Sequence, residues 1–171
     1  MTIWTIGHST HTLEKFIAML ESFSIELVVD IRSFPGSRRY PHFNKESLAV
    51  SLSKSNIEYM HLVDLGGRRK PKIDSRNNGW RHVAFRGYAD YMETDSFKKA
   101  IVTVENLGNE KRLAYMCSEA VWWRCHRSLV SDYLKHKGWT VIHIMTVGKG
   151  EEHPYTSPAR IVNGNLVYFK E

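Results

Sequence analysis

The sequence predicts an α/β protein, a three-layer sandwich with a mostly parallel central sheet of about five strands plus a C-terminal β-hairpin. Short β-rich runs alternate with amphipathic helical stretches along the 171 residues, the signature of repeated βαβ units. The run at 25–31, IELVVDI, is almost continuously apolar, as a strand covered on both faces requires. The chain is also too short for an eight-fold barrel, which takes roughly 250 residues, so the sheet is expected to be open. With no internal repeat and no low-complexity stretch, residues 1–171 read as one domain able to bury its own core.

The elements follow in order. Residues 2–6, TIWTI, form the first strand, stopped by Gly7-His8-Ser9. A helix follows, with Thr12 as N-cap, Glu14 in its first turn, and Leu13, Phe16, Ile17, Leu20 and Phe23 at helical spacing. The second strand carries Asp30 and Arg32 at its end, and the loop SFPGSRRYPHF comes next. Asn44 caps a weaker helix to about Ser55, and residues 57–63, IEYMHLV, are the third strand, followed by Asp64 and Leu65-Gly66-Gly67. Residues 66–84 are basic, polar and glycine-containing, which predicts a long mobile loop: a lid or a disordered stretch. Helical signal resumes at 88–92, then runs from Asp95 as N-cap through Phe97, Ile101, Val104 and Leu107 to a stop at Gly108.

The central unit is RLAYMCSEAVWWRCHRSLVSDYLKHKG, residues 112–138. It reads as a buried strand at 113–116, a loop with both cysteines, and a helix whose Leu129, Val130, Tyr133 and Leu134 share a face. Residues 139–145, WTVIHIM, are the fifth strand. The tail ARIVNGNLVYF gives two short β runs joined by Asn163-Gly164, a type I′ hairpin signal.

Hydrophobic content of 42% and charged content of 25% are those of a globular protein. No apolar run approaches the roughly 18 residues that span a membrane. The start, MTIWTIGHST, has no basic leader or cleavage site, so a cytoplasmic location and no membrane partner are expected. In a reducing compartment two cysteines argue for free thiols, a metal or redox chemistry rather than a structural disulfide. A net charge of +6 points to an anionic partner, either a small molecule or nucleic acid. No cofactor is expected, and the oligomeric state is left open.

Open parallel sheets bind ligands outside the carboxyl ends of their strands. Nearly every strand here delivers a reactive or anion-binding group to that edge. The candidate catalytic residues are Cys117, Cys125, Glu119, His8 and Asp30. The candidate anion-binding residues are Arg32, Arg38, Arg39, Arg127, His126, Ser9 and Tyr40, with no metal assigned. Cys125 stands beside His126 and Arg127 at a helix start, where cations and unpaired N–H groups favour a thiolate. That thiolate is a nucleophile or half of a redox pair; Glu119 or His8 relays a proton, and Arg32 and Arg127 hold charge. The basic runs Ser37-Arg38-Arg39 and Arg68-Arg69-Lys70, with Tyr40, His42 and Phe43 nearby, suit a nucleotide or a single strand.

Each residue also has a plainer reading. Cys117 serves equally as a small core residue. Arg127 can pair structurally with Asp30 or Glu119. Trp122 and Trp123 read more readily as packing than as a base platform, and His143, inside an apolar strand, as a satisfied core histidine. The C-x5-R phosphatase spacing would put arginine at 123, where the chain has Trp123.

Several stretches together resemble the domain-of-unknown-function 488 (DUF488) family. They are GHST, LVVDIRSFPGSRRYPHF, Leu65-Gly66-Gly67, FRGYADYM, MCSEAVWWRCHRSLVSDYL, VIHI and HPYTSPA, in order over essentially the whole chain. The resemblance implies the fold and the place of the site; the family's name states no reaction. Three readings therefore stand side by side. The first is a cysteine-dependent enzyme acting on a phosphorylated, nucleotide-like or nucleic-acid substrate at the sheet's C-terminal edge. The second is a non-catalytic nucleic-acid-binding or adaptor module. The third is a metal site drawn from Cys117, Cys125, His126, His8 and His143, although C-x7-C is not a standard zinc spacing.

Overall fold

The apolar runs become one six-stranded sheet in the computed structural model, which describes residues 1–169. Its strands are β1 (Thr2–Gly7), β2 (Leu27–Asp30), β3 (Glu58–His61), β4 (Leu113–Cys117), β5 (Thr140–Thr146) and β6 (Lys149–Glu152). They lie in the order β3-β2-β4-β1-β5-β6. The first five are parallel, and β6 runs antiparallel to β5 at the edge. The helices are α1 (Leu13–Ser22), α2 (Lys45–Lys54), α3 (Val83–Tyr91), α4 (Asp95–Glu110) and α5 (Arg127–His136). A separate hairpin, β7 (Arg160–Val162) and β8 (Asn165–Val167), closes the chain. Its turn residues Asn163 and Gly164 take φ of 51° and 78°, the left-handed pair that a type I′ turn requires.

The pleat of β4 explains its unbroken apolar run. Leu113, Tyr115 and Cys117 enter one core with Tyr88 of α3, Phe97 of α4 and Leu129 of α5. Ala114 and Met116 enter the other with Phe16 and Leu20 of α1 and Leu48 and Leu52 of α2. Helices thus cover both faces of the sheet, which buries every residue of the strand between them. No helix among the described residues is long and apolar enough to cross a membrane.

Topology sets the position of the cleft. β1 leads through α1 to β2, passing over β4 in one direction; β4 leads through α5 to β5, passing over β1 in the other. Neighbouring strands whose crossovers part this way leave a crevice at their carboxyl ends, the switch point of an open α/β sheet.

The structure departs from the sequence reading at several points. The edge strand β6, KGEE, is wholly exposed; it has no apolar alternation to announce it, and charge on an edge strand blocks further pairing. The N-cap of α4 is Thr94, whose side chain accepts from Phe97 N, and the helix runs through Gly108 to Glu110. Gly108 does not stop it: a Cβ there would lie 3.1 Å from the Trp139 ring, so the glycine makes room for packing. Asn44 precedes α2, but its Oδ1 accepts from Ser37 N rather than capping the helix.

Helical structure in α3 begins at Val83, several residues before the predicted signal. The segment before it is irregular yet tied down. The buried Asp90 carboxylate accepts from Lys72 N at 2.8 Å and from Ser75 Oγ and Asn77 Nδ2 at 2.7 Å each. Gly79 N donates to Tyr168 O at 2.7 Å. The expected lid is thus a strap cinched onto α3 by one carboxylate.

Candidate functional site

The carboxyl ends of β1 and β4 meet where two backbones nearly touch. His8 N donates to Cys117 O at 3.0 Å and Ser9 N to Ser118 O at 2.9 Å. A Cβ on Gly7 would lie 1.7 Å from the Glu119 carbonyl oxygen, so only glycine fits there. Above this junction opens a cleft of about 650 Å³. Of the residues proposed from sequence, it is lined by His8, Ser9, Arg32, Tyr40, Cys117, Glu119, Cys125 and His126. Asp30 and Arg127 are buried outside the lining, and Arg38 and Arg39 stand on the exposed loop beyond it. Phe34, His82, Phe85, Tyr88 and Arg124 also line the cleft. The sequence reading did not single these out: His82, Phe85 and Tyr88 arrive because α3 packs across the sheet edge, which no local pattern shows.

Asp30 is not a free acid. Arg32 donates to it from Nε (2.9 Å) and Nη2 (2.7 Å), and the Tyr59 hydroxyl donates to the same carboxylate. Its task is to hold Arg32, whose Nη2 also reaches Phe43 O at 2.7 Å, leaving Nη1 to bond His8 Nε2 at 3.3 Å. The His8 ring donates from Nδ1 to Ser9 O at 2.9 Å and stacks on Phe43 with centroids 4.3 Å apart. Burial and the adjacent Arg32 guanidinium lower its pKa to about 4, against the bond to Ser9, so it is a neutral imidazole at neutral pH.

The two thiols are free, buried and in direct contact, with Sγ atoms 2.6 Å apart. Cys117 ends β4; Cys125 follows a short 3-10 turn, Trp122–Arg124, and is separated from α5 only by the N-cap His126. Arg127 N donates to Cys125 Sγ at 3.4 Å, so the helix's first N–H is spent on sulfur rather than on a ligand. Burial pushes the Cys125 thiol up. The Cys117 thiol as donor, the Arg127 guanidinium and the Arg127 N–H outweigh it, and Cys125 titrates below its ordinary range. Cys117 is pushed well above that range by burial and by donating to Cys125. His126 Nε2 donates to Ile31 O at 3.0 Å, which leaves Nδ1 an acceptor 3.6 Å from Cys125 Sγ. Burial lowers the His126 pKa, keeping that lone pair available.

Arg127 corrects an expectation. Its guanidinium is 1% exposed, and no carboxylate among the described residues bonds it; neither Asp30 nor the Glu119 side chain is its partner. It donates instead to the carbonyls of Glu119 (3.0 Å) and Ala120 (3.4 Å) and to Thr5 Oγ1 (3.2 Å). The residue proposed to bind an anion therefore shapes the loop between the cysteines and sets the potential at Cys125. Trp122 packs flat on His143, centroids 4.6 Å apart and planes 4° apart, as a core residue; Trp123 is half exposed. His143 is fully buried and bonded at both ring nitrogens.

The family model for the Domain of unknown function DUF488 matches residues 12–134. The chain belongs to the DUF488 family. No curated protein and no solved structure matches it significantly. The span matched to DUF488 runs from the N-cap of α1 into α5 and includes Arg32, Arg68, both cysteines and His126. Within this DUF488 chain, no three His, Cys, Asp or Glu side chains among the described residues converge as a metal centre requires. The adjacent Cys125 and His126 point to each other rather than to a shared ion.

Proposed function

We propose that this DUF488 protein is an enzyme whose Cys125 thiolate attacks a phosphorylated or nucleotide-like substrate in the cleft. The observation that carries this reading is the setting of Cys125 Sγ, which receives the Arg127 N–H, touches the Cys117 thiol and faces the His126 Nδ1 lone pair. A nucleophile needs a lowered pKa or an adjacent base, and Cys125 has both. Arg32, Arg68 and Arg124 line the cleft against the single carboxylate of Glu119, and Arg68 and Arg124 enter no ion pair among the described residues. That surplus suits an anion. Phe34, 71% exposed, with Tyr40 and Phe85 adds flat surface for a ring.

The test is alkylation followed residue by residue across pH. Cys125 is expected to react with a midpoint below the ordinary thiol value of about 8.5, Cys117 to stay inert, and adenosine monophosphate to slow the reaction. Ordinary titration of Cys125 would remove the nucleophile, and unaltered rates with the nucleotide would remove the substrate class. Polymeric nucleic acid is the second reading, favoured by exposed Arg38 and Arg39 beside the cleft. Oligonucleotide binding that weakens steeply with salt and is untouched by Cys125→Ser would select it.

A further inference from the structure

The second thiol has no duty in simple nucleophilic attack, yet it is placed against the first. Cys117 and Cys125 come from opposite ends of a loop, and their sulfurs are 2.6 Å apart, against roughly 2.05 Å in a disulfide. Both line the cleft. The loop that joins them is clamped at Glu119 and Ala120 by Arg127 and backed by Gly7. The sulfurs are therefore held within bonding reach of each other and of the same ligand.

Resting on the reading of Cys125 as nucleophile, we propose that the pair performs thiol–disulfide exchange, reducing a disulfide that carries a phosphate or carboxylate group. Cys125 thiolate attacks one substrate sulfur, forming a mixed disulfide and breaking the substrate S–S bond. The first product leaves as a thiolate and takes a proton from solvent. Cys117 then gives its proton to the His126 ring or to water and attacks Cys125 Sγ, which breaks the mixed disulfide and releases the second thiolate. The substrate gains two electrons and its product thiolates take their protons from solvent; the protein loses two electrons and the Cys117 proton and is left with a Cys117–Cys125 disulfide. A dithiol reductant restores both thiols. The asymmetry of the pair supports the order of attack: Cys125 is the lowered thiol and Cys117 the raised one. Arg68 and Arg124 supply the preference for an anionic disulfide.

Reduced protein is mixed with dithiobis(nitrobenzoate), an aromatic dianionic disulfide, and nitrothiobenzoate release is followed with peptide mapping under non-reducing conditions. Wild type is expected to release two equivalents and finish with a Cys117–Cys125 link. Cys117→Ser keeps a hydroxyl donor; it should release one equivalent and retain the mixed disulfide on Cys125. Cys125→Ser should lose at least about tenfold in initial rate. A stable mixed disulfide on wild-type Cys125 with no link would overturn the exchange while leaving the nucleophile standing. Slow reaction of both wild type and Cys117→Ser at neutral pH would mean that the nucleophile itself is wrong. A Cys125→Ser variant as fast as wild type overturns the order of attack. Replacing Arg68 and Arg124 together by alanine should slow the anionic probe but not the neutral dithiodipyridine; equal slowing of both would overturn the anionic specificity.

Discussion

Arg127 and Asp132 are both buried in α5 and are connected through three other side chains. Arg127 Nη1 donates to Thr5 Oγ1 at 3.2 Å, and the Thr5 hydroxyl donates to His143 Nδ1 at 2.6 Å. His143 Nε2 donates to His153 Nδ1, and His153 Nε2 to Asp132 Oδ1, each at 2.8 Å. Every donor in this arrangement points the same way, and the chain runs from cation to anion. Thr156 and the Tyr168 hydroxyl complete the shell of Asp132. A buried guanidinium without a direct carboxylate is costly; this chain polarises toward a carboxylate and offsets that cost.

Removing the anionic end should therefore be expensive. Asp132→Asn leaves Arg127 uncompensated and is expected to destabilise the fold by about 3 kcal/mol, read from denaturant midpoints. A loss below about 1 kcal/mol would show that the chain carries no charge compensation.

Arg127→Lys keeps the charge but loses the fork that holds Glu119 O, Ala120 O and Thr5 together. The Cys125 titration is expected to rise, measured by alkylation against pH. An unmoved midpoint would show that the guanidinium fork is not needed for the lowered thiol, leaving it to the Cys117 contact and the residue-127 backbone N–H.

Stability should fall in acid. The folded pKa of His8 is lowered from 6.5 to about 4 and that of His143 to about 2. The unfolded chain therefore binds more protons between those values and 6.5. The stability these rings contribute is complete above pH 6.5 and is lost as pH drops, by up to about 1.4 kcal/mol per unit for each ring. His8 stops contributing to the slope near pH 4, and His143 only near pH 2. Unfolding free energies of wild type and His8→Gln, measured from pH 7 to 4, should show wild type losing stability relative to the variant as the pH drops; parallel curves would count against a neutral buried His8.

Gly7→Ala drives a methyl group into the Glu119 carbonyl, backbone against backbone. It should cost at least about 3 kcal/mol and displace the loop between the cysteines. A thermal midpoint equal to wild type would mean that the β1–β4 junction is looser than described.

The candidate site was partly legible in the chain. His8, Arg32, Cys117, Glu119, Cys125 and His126 each follow a strand or open a helix, positions that local patterns reveal, and all line the cleft. Asp30 and Arg127 looked alike in the chain, as charged groups at element ends, yet both prove to be buried supports. Their surroundings come from Tyr59, Thr5 and the loop carbonyls, residues far away in sequence or without side-chain signal. The 66–84 segment read as loose because its composition is polar; Asp90, which ties it down, lies outside it.

Sequence alone determined the alternation of strands and helices, the parallel character of the buried strands and the Asn163-Gly164 hairpin. These depend on side-chain period and turn chemistry, which are written within a few neighbouring residues. Tertiary structure alone decided that β4 and β1 stand side by side, that the exposed edge strand β6 exists, and that the two sulfurs touch. It also decided the sign of each thiol's shift. Burial raises both, and only the three-dimensional placement of Arg127 and Cys117 around Cys125 reverses it there. Desolvation and charge act through space, and distance along the chain does not encode them.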